Sequence, residues 1–219
     1  MYRYAKCGGS AVTKGKLCQQ AASGSDHIKD LAVAAAAAVG ATTITITNGA
    51  TTAITADMFK DGWVYVNDVD GEGQACRIKS NTAADTDASC TLTLYSDYAL
   101  TTALTTDSQV GLRKNRYDSF VVNPTTPTGV PIGVTPRDFT ASYYGWLQVS
   151  GPAAVLTHGT VVVGKTVVPS ISNTPVAGAV ESPVLTEGTP NTGANQPVVG
   201  WVMSVAASTE YSLIDLKIE

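Results

Sequence analysis

The sequence predicts an all-β protein: a small, glycine-rich β-barrel or sandwich body carrying an inserted second β module. Three observations carry that prediction. Charged residues make up only 15% of the 219 residues, well under the usual quarter or so, and threonine takes much of the missing polar share. Threonine is β-branched, loses rotamer freedom in a helix and fits a pleated surface. The second observation is residues 143–219, where short β-branched runs alternate with single glycines, as in Tyr144-Gly145-Trp146-Leu147, Val162-Val163-Gly164-Lys165 and Val199-Gly200-Trp201-Val202. The third is the strict alternation Thr43-Ile44-Thr45-Ile46-Thr47, the period of a half-buried strand.

In chain order, residues 2–20 read as two strands around Gly8-Gly9-Ser10, with a further turn at Lys14-Gly15-Lys16. The pattern Val12-Thr13-Lys14-Gly15-Lys16-Leu17 is echoed by Val162-Val163-Gly164-Lys165-Thr166-Val167, a Gly-Lys turn ahead of an apolar strand. Residues 32–38 are alanine-rich, but they lack a polar face and a strand pattern follows at once. They read as strand or extended linker, with a short helix as the competing reading. Asn48-Gly49 after the Thr/Ile run is a strong hairpin signal, and residues 55–59 suit one helical turn capped by Thr55. Residues 63–67 and 74–79 form a hairpin, and residues 90–95 and 109–114 supply further strands. Residues 41–117 are thus the inserted module, and residues 1–40 plus 118–219 the discontinuous body.

Two segments break the pattern. Residues 123–136 hold Pro124, Pro127, Pro131 and Pro136; proline cannot donate to a central ladder, so this stretch is expected along an edge or over the surface as an extended arm. Residues 181–196, rich in Pro, Thr, Gly and Asn, read as a loose loop.

Charge and composition narrow the function classes. Fourteen Lys and Arg against eighteen Asp and Glu give a net charge of −4, and no basic stripe emerges, so direct nucleic-acid binding is not expected. The N-terminus lacks the apolar region of a signal peptide. Residues 31–39, the longest uncharged apolar run, are far too short for a membrane span. Synthesis in a cytoplasm is therefore expected, with no membrane partner. Cys7, Cys18, Cys76 and Cys90 show no C-x-x-C spacing; each successive pair flanks an expected hairpin, and reduced, partly buried thiols are the favoured reading.

No residue pattern points to catalysis, a cofactor or a metal. Asp68-x-Asp70-Gly71-Glu72 begins like a calcium loop, but Lys79 stands where the bidentate glutamate is needed, so a hairpin turn is expected. His27 and His158 sit in polar contexts and read as solvated turn histidines. Asp57, Asp61, Asp68 and Asp70 are the carboxylates a glycosidase would draw on, but none lies in an aromatic-rich cleft pattern. Trp63, Trp146 and Trp201 with Tyr143, Tyr144 and Tyr211 could make a sugar platform; lying within strand runs, they read instead as core or subunit contacts. The candidate interface residues are Tyr2, Arg3 and Tyr4 of the N-terminal arm, Pro124, Pro127 and Pro131 of the proline segment, and Trp146 and Trp201.

Gly71-Glu72-Gly73-Gln74 followed by Arg77-Ile78-Lys79-Ser80-Asn81 resembles a β module of tailed-bacteriophage structural proteins. The likeness continues through Gly145-Trp146-Leu147-Gln148, Gly151-Pro152-Ala153-Ala154-Val155-Leu156, Gly159-Thr160 and Glu210-Tyr211-Ser212-Leu213-Ile214-Asp215-Leu216. From about residue 40 onward the chain resembles phage head decoration (cement) proteins. The resemblance implies a non-enzymatic virion protein on the capsid exterior, a homo-oligomer, often a homotrimer, that binds the major capsid protein and stabilises the shell. A tail or fibre component binding host glycans is the alternative, and a carbohydrate-active enzyme the third reading.

Overall fold

The structure, a computed structural model, describes residues 1–172, 174–183 and 196–219. It is 41% strand and 3% helical, with sheets that form a nearly closed barrel and a half-barrel. The strands are β1 (Tyr2–Lys6), β2 (Leu17–Gln19), β3 (Leu31–Ala32), β4 (Thr43–Thr47), β5 (Trp63–Asp68), β6 (Ala75–Asn81), β7 (Ser89–Leu94) and β8 (Gln109–Arg113). They continue as β9 (Val121–Val122), β10 (Pro131–Val134), β11 (Tyr144–Gln148), β12 (Ser150–Leu156), β13 (Thr166–Pro169), β14 (Val180–Glu181), β15 (Gly200–Ser204) and β16 (Tyr211–Lys217). The chain divides into two compact units: a body of Met1–Ala22 with Arg116–Glu219, and an inserted unit of Ser23–Asn115.

The inserted unit is one six-stranded sheet in the order β3-β8-β5-β6-β7-β4. Its alternating strands send Ile44, Ile46, Val64, Val66, Ile78, Leu92, Val110 and Leu112 into a single core around Phe59. Burying each such side chain is worth roughly 1.5–3 kcal/mol. The unit starts at Ser23, whereas the sequence places its start at residue 41. The reason is pairing: Leu31 lies opposite Val110, and Val33 bridges Ile46. The alanine-rich stretch after β3 forms no helix; Ala37 instead bridges Leu104.

Local readings of this unit fare unevenly. The β5–β6 hairpin forms as expected, with Val64 opposite Cys76. Asn48-Gly49 makes no hairpin, because β4 pairs with the distant β7, Ile44 opposite Leu92. The buried Asn48 side chain instead donates to the carbonyls of Thr52 (2.9 Å) and Asp85 (3.0 Å). Residues 56–60 form turns without a helix, with Asp57 at φ 59°.

The body has two five-stranded sheets, β1-β11-β10-β2-β9 and β12-β16-β15-β13-β14. β1 and β2 are not partners of each other: β1 pairs with β11, and β2 lies between β10 and β9. Two small cores fill the body. One holds Ala5, Cys7, Val12, Cys18, Phe120, Ile132, Phe139 and Leu147, the other Leu17, Val134, Val155, Val167, Val199, Ile214 and Leu216. Leu17 and Cys18 enter different cores, and every residue of β2 and β10 is buried. β10 is thus a central strand, which corrects the reading of residues 123–136 as a surface arm throughout. Pro131 is tolerated because it is the first residue of its strand, where a missing N–H matters least. The echo noted in sequence is structural: Gly15 (φ 71°) and Gly164 (φ 78°) each make a left-handed turn ahead of a strand. All four cysteines are free and buried, and burial raises each thiol pKa.

Candidate functional site

β1 is an edge strand, and its pairing with β11 places Tyr2 opposite Gln148, Tyr4 opposite Trp146 and Lys6 opposite Tyr144. Met1 and Cys7 bond towards β11, Met1 through its carbonyl to the Val149 N–H (3.0 Å) and Cys7 through its N–H to the Tyr143 carbonyl (2.9 Å). The even-numbered residues between them are therefore non-hydrogen-bonded pairs, in which side chains stand closest. Alternation puts Tyr2, Tyr4, Tyr144 and Trp146 together on the outer face, 50%, 57%, 57% and 53% exposed. Four half-exposed aromatics present apolar surface on the order of 400 Å², the size of the patches that mark interaction sites.

The cluster is ordered by ring contacts. Tyr4 stacks on Tyr144 with centroids 5.5 Å apart and meets Trp146 edge-on at 5.2 Å. Lys6 Nζ lies 5.7 Å from the Tyr144 centroid, a cation–π contact worth about 0.5–1 kcal/mol at an exposed site. Gln148 anchors one end: its Oε1 accepts the Tyr2 hydroxyl (3.3 Å), while its amide donates to the Pro152 carbonyl (2.8 Å). Beside Tyr144 an open cleft of about 250 Å³ is lined by Arg137, Asp138, Phe139, Thr140 and Tyr143.

Arg3 lies on the opposite face of β1. Its Nε donates to Glu219 Oε2 (2.6 Å), and Arg116 (3.2 Å) and the Tyr117 hydroxyl reach Oε1 of the same carboxylate. Partial burial pushes the Glu219 pKa up, but these donors outweigh it and hold the carboxyl below the usual range. Burial and the bond to Glu219 push the Tyr117 hydroxyl up to about 12.

A second exposed apolar face lies on the other sheet of the body. Trp201 and Met203 on β15 and Tyr211 and Leu213 on β16 are exposed there, Trp201 lies opposite Asp215, and Lys217 Nζ sits 5.7 Å from the Trp201 ring.

Of the residues singled out in sequence, Tyr2, Tyr4 and Trp146 come together and Arg3 flanks them. Trp201 lies on the second face. Pro127 is exposed and Pro124 half-buried in the loop before β10, while Pro131 is buried and lines no surface. Tyr144, read in sequence as a core or subunit contact, and Lys6 complete the cluster without having been among the candidate interface residues, although the alternation 144/146/148 along one strand carries the signal. Trp63, Trp146 and Trp201 are all exposed on their strands, not in a core.

Both histidines differ from the solvated turns expected. His27 is fully buried, its Nε2 3.1 Å from Asn48 Oδ1 and its ring edge-on to Phe59. His158 Nδ1 lies 3.1 Å from the buried Glu181. That carboxylate also accepts the hydroxyls of Ser170 and Ser172 and the N–H groups of Ile171 and Ser172, each at 2.9 Å. Burial alone would raise the Glu181 pKa, but the donors prevail and hold it low. Serine, histidine and glutamate are the residue types of a hydrolytic triad, yet both serines approach Nδ1, the nitrogen the carboxylate occupies. A relay needs the nucleophile on the other ring nitrogen; this group is a clasp that holds residues 170–172. Residues 184–195 of the segment read as a loose loop lie outside the described residues.

The carboxylates of the calcium-like stretch serve separate bonds, Asp68 accepting the Val69 N–H (2.9 Å) and Asp70 the Thr105 hydroxyl (2.9 Å). Asp61 accepts Arg77 (3.2 Å) and the Tyr95 hydroxyl (2.7 Å). Among the described residues no group of three or more His, Cys, Asp or Glu is gathered to hold a metal, and no helix is long and apolar enough to cross a membrane. No family model, curated protein or solved structure matches the chain.

Proposed function

We propose that this chain is a virion structural protein, a decoration or cement protein that binds the outer surface of a tailed-phage head and stabilises the shell. The resemblance in sequence supplies the kind of particle. The observation that carries the docking role is the uneven exposure of large apolar side chains. Among the described residues nineteen are exposed; sixteen belong to the body, and only Val39, Trp63 and Val69 to the inserted unit. An apolar patch the size of the four-ring cluster is about the largest a typical monomer shows, and such patches are often functional.

On this reading the body docks on the major capsid protein through the Tyr2/Tyr4/Tyr144/Trp146 cluster, and the second face around Trp201 and Leu213 joins copies into a homo-oligomer, a trimer by the resemblance. No nucleic acid, membrane or cofactor takes part. Weak contacts summed over many sites, with oligomer avidity, raise the barrier to shell disruption. The test is to add the purified chain to heads that lack it. Bound density on the shell and greater resistance to heat or chelators are expected; no density and unchanged resistance would sink the proposal.

The cleft beside Tyr143, with Arg137, Asp138 and Thr140 next to exposed rings, favours a second reading: a tail or fibre component that binds host glycans. That reading predicts glycan-dependent binding of the isolated chain to cells. Against it, the Tyr4 and Tyr144 rings face each other with planes 10° apart, which leaves less open ring face for a sugar.

A further inference from the structure

The free edge of β1 offers more than an apolar face. Lys6 turns its main chain outward, donating to the Tyr117 carbonyl (2.9 Å) and accepting the Phe120 N–H (3.0 Å), so residues 117–120 already occupy the lane beside it. By the alternation of a β-ladder, Tyr2 and Tyr4 present their N–H and C=O groups to the same side. Among the described residues nothing bonds to them there. β1 therefore combines an open ladder with an aromatic face; it has no proline or bulge, and of the features that blunt an edge it carries the charges of Arg3 and Lys6.

We infer that this edge takes an extended segment of another protein as an added strand, with the pattern apolar–acidic–apolar. The charge around the lane sets the middle residue. Arg3, Lys6 and Arg116 stand there against the carboxylates of Glu219 and of Asp118 in the 117–120 segment, so these groups are net positive while the chain as a whole is −4. A strand hydrogen-bonded to Tyr2 and Tyr4 places one residue directly opposite Arg3, on its face, and flanks it with residues on the aromatic face. Asp or Glu completes the first position, and Val, Ile or an aromatic the flanking ones.

The same geometry argues against a second copy of this chain. Antiparallel self-pairing of β1 that uses both Tyr2 and Tyr4 sets Tyr2 opposite Tyr4 and Arg3 opposite Arg3, and like charges directly opposed are destabilising. The inference rests on the body being the docking unit, and on that reading the segment belongs to the shell protein.

Two peptides test it without any phage particle: Ac-Thr-Val-Glu-Val-Thr-NH2 and its counterpart with Lys in place of Glu, each titrated into the full chain and followed by amide NMR. Saturable shifts at the Tyr2 and Tyr4 amides are expected, with the Lys peptide about tenfold weaker or more. Tyr4→Pro, which removes an outward N–H, should abolish the shifts. Arg3→Gln, which should leave the fold intact, should erase the preference between the peptides. Absent shifts, shifts centred elsewhere, or equal binding of the two peptides would overturn the inference. A chain that binds heads yet fails this titration loses the strand lane and keeps the docking role.

Discussion

In the inserted unit eleven acidic residues face six basic ones, whereas the body carries seven against eight. The acidic excess of the chain therefore lies in the unit that hides its large apolar side chains, and the nearly neutral body is the one that shows them. Both are built from short antiparallel strands, so strand grammar alone does not make the difference. In β4 and β7 the outward positions are threonine and serine. In β1, β11, β15 and β16 they include tyrosine, tryptophan, methionine and leucine, interspersed with Lys6, Asp215 and Lys217. The first pattern suits a surface that meets water, and the second a surface that meets protein.

The comparison can be broken most sharply through the cores. Leu112→Ala in the fully buried centre of the inserted unit should cost about 2–5 kcal/mol, read by denaturant unfolding. If each unit rests on its own core, Trp63 fluorescence should report this loss while Trp146 and Trp201 report little; equal loss at all three would merge the units into one cooperative block.

The next largest effect belongs to the body. Glu181→Gln removes a buried carboxylate that accepts two N–H groups and two hydroxyls, and should cost about 2–4 kcal/mol. The wild-type carboxyl titrates below its unfolded value of about 4.3. Its stabilisation is therefore complete above that pH and is lost as pH falls through the lower folded value. Acid unfolding curves should fall more steeply in wild type than in the variant, which keeps only the dependence of the remaining lowered carboxylates such as Glu219.

A smaller effect on stability separates docking from folding. Tyr4→Ser with Trp146→Ser removes exposed aromatic contacts worth about 0.5–1.5 kcal/mol. The pair should fold at nearly the wild-type melting temperature but bind heads at least about tenfold more weakly; wild-type head binding would move the docking surface elsewhere. Smallest is Val69→Asn at the tip of the β5–β6 hairpin. Val69 holds φ 65° with an exposed side chain, a conformation that is costly for a β-branched residue. Asparagine should raise the stability of the inserted unit by up to about 1 kcal/mol, and an unchanged midpoint would show that the strain is absorbed locally.

What was legible in sequence was local. The β5–β6 hairpin could be read because its strands are neighbours and Gly71 and Gly73 mark the turn. The exposed face of β1 could be suspected because Tyr2, Arg3 and Tyr4 alternate. The partner of β1, residues 144–148, lies far along the chain, and no local signal pairs Tyr4 with Trp146. Pro131 misled for a similar reason, since a strand's first residue loses little by lacking an N–H, and only its neighbours β2 and β11 make the strand central. The Glu181 clasp joins residues 158, 170, 172 and 181 through burial and side-chain bonds that follow no spacing rule. Asn48-Gly49 carried a strong hairpin signal that the pairing of β4 with β7 overrode.

The central claim is that the body docks and the acidic inserted unit stays in solvent. A cryo-EM map of phage heads decorated with this chain tests it most directly. The account predicts density on the capsid exterior, with the β1–β11 face of the body against the capsid protein and Trp63 of the inserted unit in solvent. Density in which the inserted unit makes the shell contact, or density confined to the tail, would contradict it.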